Sequence, residues 1–441
     1  MGVEQAAPPL RIALAGLGTV GVGVIRLLDT NRDLLTARAG RELQVVAVSA
    51  RDRSKDRGVD LARFAWEDDM TAMAHRDDVD VVVELVGGSD GPALNLARKA
   101  LQSGKPLVTA NKAMIAHHGL ALAELAEARD VALKFEAAVA GGIPVVKGLR
   151  EGTAANAIER IYGILNGTCN YILSKMEETG ADFADVLKDA QQLGYAEADP
   201  SFDIEGVDAA HKLAILAAIG FGAKLDFDSV RVTGITRVQA ADIAQADILG
   251  YVIRLIAMAD VEEGEGGGAT LLQRVRPCLV SKDHPLSRVD GPTNAVVAEG
   301  NFSGRLLFQG AGAGDGPTAS AVVADLIDIA RDEVGAPFSI PVSRLDPLPP
   351  TEPGHRLERT YLRFTVADRP GVLAEITAAM RDAGVSIESL IQKGRGDAGA
   401  EVLVAMVTHE GPERAVRDAL ALLEGSDSLT SAPLVLPILP D

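Results

Sequence analysis

The chain has 441 residues, too many for one compact domain, and 47% of them are hydrophobic, enough for two or three real cores. Its 43 Lys and Arg against 62 Asp and Glu leave a formal net charge of −19, which disfavours nucleic acid and anionic membranes as partners. Two cysteines, Cys169 and Cys278, make no motif and predict a reducing compartment. The opening Met1-Gly2-Val3-Glu4-Gln5 lacks the basic and apolar regions of a signal peptide, and no run of about 18 apolar residues exists to span a membrane, so the cytoplasm is expected.

Residues 10–15 read as a short strand that runs into Gly16-Leu17-Gly18-Thr19-Val20-Gly21, followed by Val24, Ile25, Leu27 and Leu28 at helical spacing. Strand, G-x-G-x-x-G, helix is the context in which this motif binds a dinucleotide. Gly16 permits the tight turn, Gly18 lets backbone approach a pyrophosphate, and Gly21 lets the helix pack on the strand. The helix N-terminus then offers free N–H groups to phosphate. Residues 43–48 predict a second strand. NAD sites usually carry an acidic residue at its end to hold the ribose hydroxyls; here it ends in Ser49-Ala50-Arg51-Asp52-Arg53. Arg51 suits a 2′-phosphate, so NADP(H) is expected at least as readily as NAD(H). Asp52 keeps NAD(H) open, and Arg53 reads as a solvated loop charge. Residues 79–86 read as a central parallel strand. A helix at 93–101, a strand at 106–109, a helix at 120–128 and a strand at 132–136 follow. This alternation predicts a Rossmann-type, doubly wound parallel sheet. Lys112 lies just past a strand's carboxyl end, where such sheets bind ligands.

Residues 136–144 leave that sheet. Their glycines and the Glu136 carboxylate can fold oxygens around a cation, although composition alone favours a plain turn. Residues 158–164 start a new strand that ends in Leu165-Asn166-Gly167-Thr168, a polar turn before a helix. Phe183, Val186, Leu187 and Ala190 form an amphipathic stripe, with Asp182 as N-cap and Gly194 as C′ residue. An acidic loop follows, Tyr195-Ala196-Glu197-Ala198-Asp199-Pro200-Ser201-Phe202-Asp203-Ile204-Glu205. It leads into a helix at 207–220 that is apolar on nearly all sides and therefore buried. Asp208 and Lys212 share one face of it at i and i+4. A lysine on a packed face has a lowered pKa and can give up a proton near neutral pH. For that pair alone, an ordinary salt bridge is the favoured alternative.

Residues 262–268 read as a flexible hairpin insert. A strand at 302–308 runs into Gln309-Gly310-Ala311-Gly312-Ala313-Gly314, and Pro317 opens a helix that returns the chain to the cofactor. Residues 345–354 are a stiff, Pro-rich linker. Beyond it a strand, a helix, strands at 385–391 and 402–408, a helix at 413–423 and a strand at 434–438 predict a ferredoxin-like βαββαβ unit. Its turn Asp368-Arg369-Pro370-Gly371 meets a helix N-terminus, which suits the carboxylate of a small amino acid.

Three pieces together, Asn166-Gly167-Thr168, the segment from Glu197 to Lys212 and Gly310-Ala311-Gly312-Ala313-Gly314, resemble homoserine dehydrogenase in its monofunctional form with a C-terminal ACT domain. The resemblance runs from Arg11 to the end; no kinase domain precedes Arg11, so the bifunctional form is not expected. It implies NAD(P)H-dependent reduction of L-aspartate 4-semialdehyde to L-homoserine in threonine, methionine and isoleucine biosynthesis. It implies a dinucleotide-binding domain at 1–144, completed by a helix at 317–335, and a mixed α+β catalytic and dimerisation domain at 145–316. A return segment and linker at 336–356 and an ACT domain at 357–441 complete the division. A homodimer or homotetramer is implied. By position, Lys212 resembles the proton-transferring lysine. Glu197 and Asp208 resemble the residues that hold the amino acid, with Tyr195, Asp203, Thr168 and Lys112 beside them. Gly16, Gly18, Thr19, Val20, Gly21, Arg51, Lys112, Gly194 and Gly310 resemble cofactor contacts. Glu136, Val139, Gly141 and Ile143 resemble a loop for Na+ or K+. His211 stands where some relatives carry another basic residue, one position off the catalytic face and without expected consequence. The implied ACT effector is L-threonine, with a ligand-free dimerisation module as the alternative. Competing readings are another NAD(P)-dependent amino-acid dehydrogenase and a non-catalytic amino-acid sensor. A sensor has no need of a buried proton donor, so the Asp208/Lys212 pair speaks against it.

Overall fold

The computed structural model describes residues 7–264, 267–393 and 401–440. The opening segment read for a signal peptide, Glu265 and Gly266 of the hairpin insert and residues 394–400 of the last unit lie outside them. Among the described residues no helix is long and apolar enough to cross a membrane.

The first unit is a six-stranded sheet made of β1 (Leu10–Ala15), β2 (Leu43–Ser49), β3 (Ala65–Trp66), β4 (Val81–Glu84), β5 (Leu107–Thr109) and β6 (Leu133–Lys134). The spatial order is β3-β2-β1-β4-β5-β6 and every pairing is parallel. The most apolar strands, β1 and β4, are buried on both faces and occupy the middle. Between them the strand order reverses, which is where an open α/β sheet has its binding crevice. The helix Asp315–Ala330 comes back to this sheet: Ala319, Val322 and Leu326 share a core with Ile12, Leu14 and Val24. Its approach to the Thr19–Thr30 helix is close at Gly23, where a Cβ would stand 2.9 Å from the Asp315 carbonyl.

Several boundaries differ from the sequence reading: the helix read at 120–128 begins at Lys112 and runs to Arg129, the strand read at 79–86 is Val81–Glu84, and the strand read at 385–391 is Ile387–Lys393. The returning helix begins at Asp315 and ends at Ala330, rather than spanning 317–335. Pro317 fits inside its first turn because N–H groups there need no intrahelical partner. The preceding strand covers Gly304–Ala311 instead of 302–308. Phe302 is 90% exposed at a hairpin tip, whereas Gly310 and Ala311 pair with Asn294 and Thr293. Cross-strand pairing overrides the local turn signal of the glycines, and only residues 312–314 are left to turn.

The second sheet contains β7 (Ile158–Ile164), β8 (Arg231–Val232), β9 (Tyr251–Glu263), β10 (Ala269–Ser281), β11 (Thr293–Gly300) and β12 (Gly304–Ala311) in the order β12-β11-β7-β9-β10-β8. It is antiparallel except for β8 on β10. The helix Val207–Phe221 lies on it, buried at every residue from Asp208 to Ile219, as an all-apolar helix should be. At Gly220 a Cβ would sit 2.4 Å from the Ile161 side chain, so the helix end packs directly on β7.

The last unit is a four-stranded antiparallel sheet of Thr360–Ala367, Ile387–Lys393, Glu401–Thr408 and Leu434–Pro437. The first strand lies between the third and the fourth, and the second lies outside the third. Alternation along the first strand separates its faces. Leu362, Phe364 and Val366 pack with the unit's own helices, while Tyr361 joins the core of the second unit together with Ala405, Val407 and Leu436.

Candidate active site

β1 feeds the glycine turn. Gly16 has φ 100°, and a Cβ there would be 2.4 Å from the Leu85 carbonyl; at Gly21 a Cβ would meet the Gly16 carbonyl at 2.0 Å. Those two glycines are demanded by the chain itself. Gly18 is not, since a Cβ there meets nothing within 4 Å. Its bare backbone leaves the space a pyrophosphate oxygen would use, beside a helix start at Thr19 that no side chain caps. The residues present therefore fit a dinucleotide. Arg51 is exposed in the loop after β2. Arg57 reaches further: it donates to the Leu17 carbonyl at 3.0 Å and to the Asp52 carbonyl at 2.6 Å, tying that loop to the glycine turn. Sequence reasoning passed over Arg57 because an irregular loop has no periodicity to mark its side chains.

Between the two sheets lies a cavity of about 960 Å³. Val20, Gly194 and Gly310 line it, together with Thr168, Tyr195, Asp203, Asp208, Lys112 and Lys212. Asn111 caps the helix Lys112–Arg129 by accepting from the Met114 N–H at 3.0 Å, which sets Lys112 at the first helical position. Asp208 then receives both lysines: Lys112 Nζ is 2.9 Å from Oδ1 and Lys212 Nζ 2.7 Å from Oδ2. Lys212 also donates to the Leu165 carbonyl at 2.7 Å. Asn166 completes the cluster, donating to Asp208 at 2.9 Å and to Asp203 at 2.7 Å while its oxygen accepts from the Cys169 N–H. Thr168 donates to the Tyr195 carbonyl at 2.7 Å and to Asp203 at 3.3 Å.

The electrostatics follow from this sharing. Burial alone would raise Asp208, but Lys212 and Lys112 outweigh it and hold the carboxyl well below its ordinary range. Burial pulls Lys212 down against the attraction of Asp208, and Lys112 adds to the lowering. Lys112 is also pulled down by burial, yet Asp208, with Asp203 and Glu197, carries it upward overall. Asp203 is raised, chiefly by burial and against its bond from Asn166. Tyr195 is exposed and its ring meets Tyr171 at 4.6 Å. Glu197 is exposed and receives no side-chain hydrogen bond from the described residues, although its charge reaches Lys112.

His211, one position off the Lys212 face, is packed between the helices of Lys112 and Lys212 rather than exposed. It is 4% exposed, with Nε2 3.3 Å from Nε2 of His117 on the Lys112–Arg129 helix. Phe227 packs against both rings, at 4.4 Å and 4.9 Å. Burial and the neighbouring His117 push His211 down to about 4, so it stays neutral beside two lysines. The pair joins the two helices that carry Lys112 and Lys212.

The loop at 136–143 also departs from expectation in one respect. The Glu136 carboxylate is 2% exposed and accepts from the N–H groups of Val146 at 3.0 Å and Lys147 at 2.8 Å. Burial, with Asp325 close by, pushes it up to about 7. That carboxylate is already committed to a helix start, and among the described residues no group of three His, Cys, Asp or Glu side chains is arranged for a metal. Of the backbone carbonyls at the four positions read as a cation loop, that of Glu136 accepts from the Val139 N–H at 3.3 Å and that of Ile143 from the Val145 N–H at 2.7 Å. Gly142 N–H binds the Ala311 carbonyl at 3.1 Å, which braces this loop against the end of β12.

A parallel sheet with a phosphate-fitting glycine turn, opening onto a cavity where two lysines share one aspartate, defines a dinucleotide-dependent oxidoreductase. Family models described as "Homoserine dehydrogenase, NAD binding domain", "Homoserine dehydrogenase" and "ACT domain" match residues 16–136, 144–327 and 360–424. The homoserine dehydrogenase of Pseudomonas aeruginosa is 43% identical over 433 residues, covering 97% of this chain and 98% of that one. That of Neisseria gonorrhoeae is 44% identical over 429 residues, covering 95% and 96%. The crystal structure of a homoserine dehydrogenase from Thiobacillus denitrificans superposes with a TM-score of 0.90 at 41% identity, covering 98% of each chain. The chain belongs to the homoserine dehydrogenase family, the NAD(P)-dependent oxidoreductases that act on the CH–OH group of homoserine.

Proposed function

We propose that Lys212 transfers the proton in the interconversion of L-aspartate 4-semialdehyde and L-homoserine, with Lys112, Asp208, Asp203, Thr168, Tyr195 and Glu197 holding the amino acid. One observation carries this reading: two lysines from different helices share a single aspartate on the wall of the cavity. NADPH, when bound, would supply the hydride to the aldehyde carbon. A cationic Lys212 would stabilise the negative charge that grows on the aldehyde oxygen and would give that oxygen a proton. Its lowered pKa favours that release, and the neutral amine serves as base in the reverse direction. Asp208 stays ionised and fixes both ammonium groups. The substrate's own ammonium finds carboxylates at Glu197 and Asp203.

NADP(H) is the preferred cofactor in this reading, with the exposed Arg51 as the charge that would meet a 2′-phosphate and Arg57 bracing its loop against the glycine turn. A solved archaeal homoserine dehydrogenase in complex with NADPH, 26% identical over 73% of this chain, superposes with a TM-score of 0.62. Na+ or K+ on the carbonyls of residues 136–143 would stiffen the loop that supports the glycine turn after β12. The last unit binds L-threonine as effector, the enzyme works as a homodimer or homotetramer, and it acts in the cytoplasm. In this reading the chain divides at 144, 316 and 356, with the cut near 316 moved to just before the helix that begins at Asp315. The test is NADPH absorbance decay on adding L-aspartate 4-semialdehyde, in the wild type and in Glu197→Gln. A KM for the semialdehyde, and for homoserine in the NADP+-dependent reverse assay, unchanged by the substitution would remove Glu197 from the substrate set.

A further inference from the structure

Asn294 stands in β11 opposite Gly310, on the cavity wall. It is 1% exposed, and neither its carboxamide oxygen nor its nitrogen has a hydrogen-bond partner among the described residues. The carboxamide lies against Gly312: a Cβ there would be 2.2 Å from its carbon and oxygen and 2.6 Å from its nitrogen. On its other side, a Cβ at Gly167 would be 3.5 Å from Oδ1. The side chain thus separates the turn after β12 from the turn at Asn166–Thr168. A buried amide with both ends unmet is unfavourable, and an aliphatic side chain would occupy the space at lower cost. Gly312 lies in the turn, where a glycine peptide reorients with little steric resistance, and Gly167 opens the helix Gly167–Thr179, whose first N–H groups need no intrahelical partner.

We propose that Asn294 is a positioning residue that joins the cofactor-side turn to the substrate-side turn when both ligands occupy the cavity. Its donor and acceptor then meet peptide groups of the two turns, so that a bound cofactor improves the seat of the substrate. The inference rests on assigning those turns to cofactor and substrate. Asn294→Ala and Asn294→Ser are compared with wild type in NADPH Kd, in kcat/KM for L-aspartate 4-semialdehyde at saturating NADPH, and in urea midpoint. For Asn294→Ala, kcat/KM is expected to fall about tenfold or more, the worth of two ordinary hydrogen bonds. NADPH Kd should stay within about twofold and the midpoint should not fall, because unmet polar atoms are removed. Asn294→Ser, which keeps a donor and an acceptor, should recover part of the loss. A kcat/KM within about twofold of wild type overturns the proposal, and so does a fall matched by equal losses in NADPH affinity and midpoint, which marks a packing residue. Wild-type protein inert towards the semialdehyde would remove the reading of the turns itself, and this inference with it.

Discussion

Of the regions that bury charge among the described residues, two do so with different cations. In the cavity two lysines converge on Asp208. At the seam between the second sheet and the last unit the cations are arginines: Arg363 on Asp242, Arg274 on Glu413, Arg276 on Glu358, and Arg356 on Asp260 and Glu262. Arginine keeps its proton at any pH a protein tolerates and fixes geometry through its planar fork; lysine can be tuned by burial until its proton moves. Buried charge alone is therefore no mark of catalysis. What distinguishes the cavity is a titratable cation beside open space, whereas the seam holds two units in register.

The largest effect expected is on rate. Lys212→Ala should lower kcat by about 10²–10⁴-fold, the usual worth of a general acid. The fold should persist because Asp208 retains Lys112. Measured kcat and NADPH affinity check this, and near-normal turnover would reduce Lys212 to a structural ion pair and erase the contrast.

At the seam the expected effect is on stability. Asp242 is fully buried and accepts from Tyr361 at 3.0 Å and from Arg363 at 2.8 Å. Asp242→Ala strands a buried guanidinium and should cost about 3–5 kcal/mol in urea unfolding. Turnover at saturating substrate should stay near wild type. A proportional loss of kcat would mean that the seam takes part in the chemistry after all.

A third test uses pH. Unfolded histidine titrates near 6.5, while His211 in the fold sits at about 4. Between those values the unfolded chain binds the extra proton, so His211 makes stability fall as pH drops from about 6.5 to about 4, by on the order of 3 kcal/mol. Glu136, raised to about 7, slopes the other way, losing stability as pH rises from its ordinary range through about 7. His211→Gln should flatten the acid limb alone in unfolding measured across that range. An unchanged limb would show that the cavity does not depend on keeping His211 neutral.

The smallest expected effect concerns arginine in the loop after β2. Arg57→Ala should shift the ratio of kcat/KM for NADPH over NADH by about three- to tenfold towards NADH, and Arg51→Ala by less, since one charged hydrogen bond in partial contact with water is worth little more. A ratio unmoved by either substitution would confine arginine's role in this chain to docking.

What was legible in the sequence was local. The glycine turn and the Asp208/Lys212 pair are written within a few residues, so period and spacing reveal them. The partners that complete the site are not. His211 meets a histidine 94 positions away, and Asn166 meets an aspartate 42 positions away. No periodicity connects Lys112 with Asp208, because a tertiary meeting of two helices makes that contact. The end of β12 failed for a related reason: glycine reads as a turn until a neighbouring strand supplies a ladder for it.

The return of the Asp315–Ala330 helix to the first sheet sets a timetable for synthesis. The strands of that sheet leave the ribosome early, but the helix that covers Ile12, Leu14 and Val24 follows about 300 residues after them. Until then the nascent sheet keeps an open apolar face, and everything that forms the second sheet is made while it waits. Chaperone demand should peak during that interval and end when residue 330 emerges. A ribosome stalled before residue 315 should hold a protease-sensitive first unit, and one stalled well beyond residue 330 a resistant one.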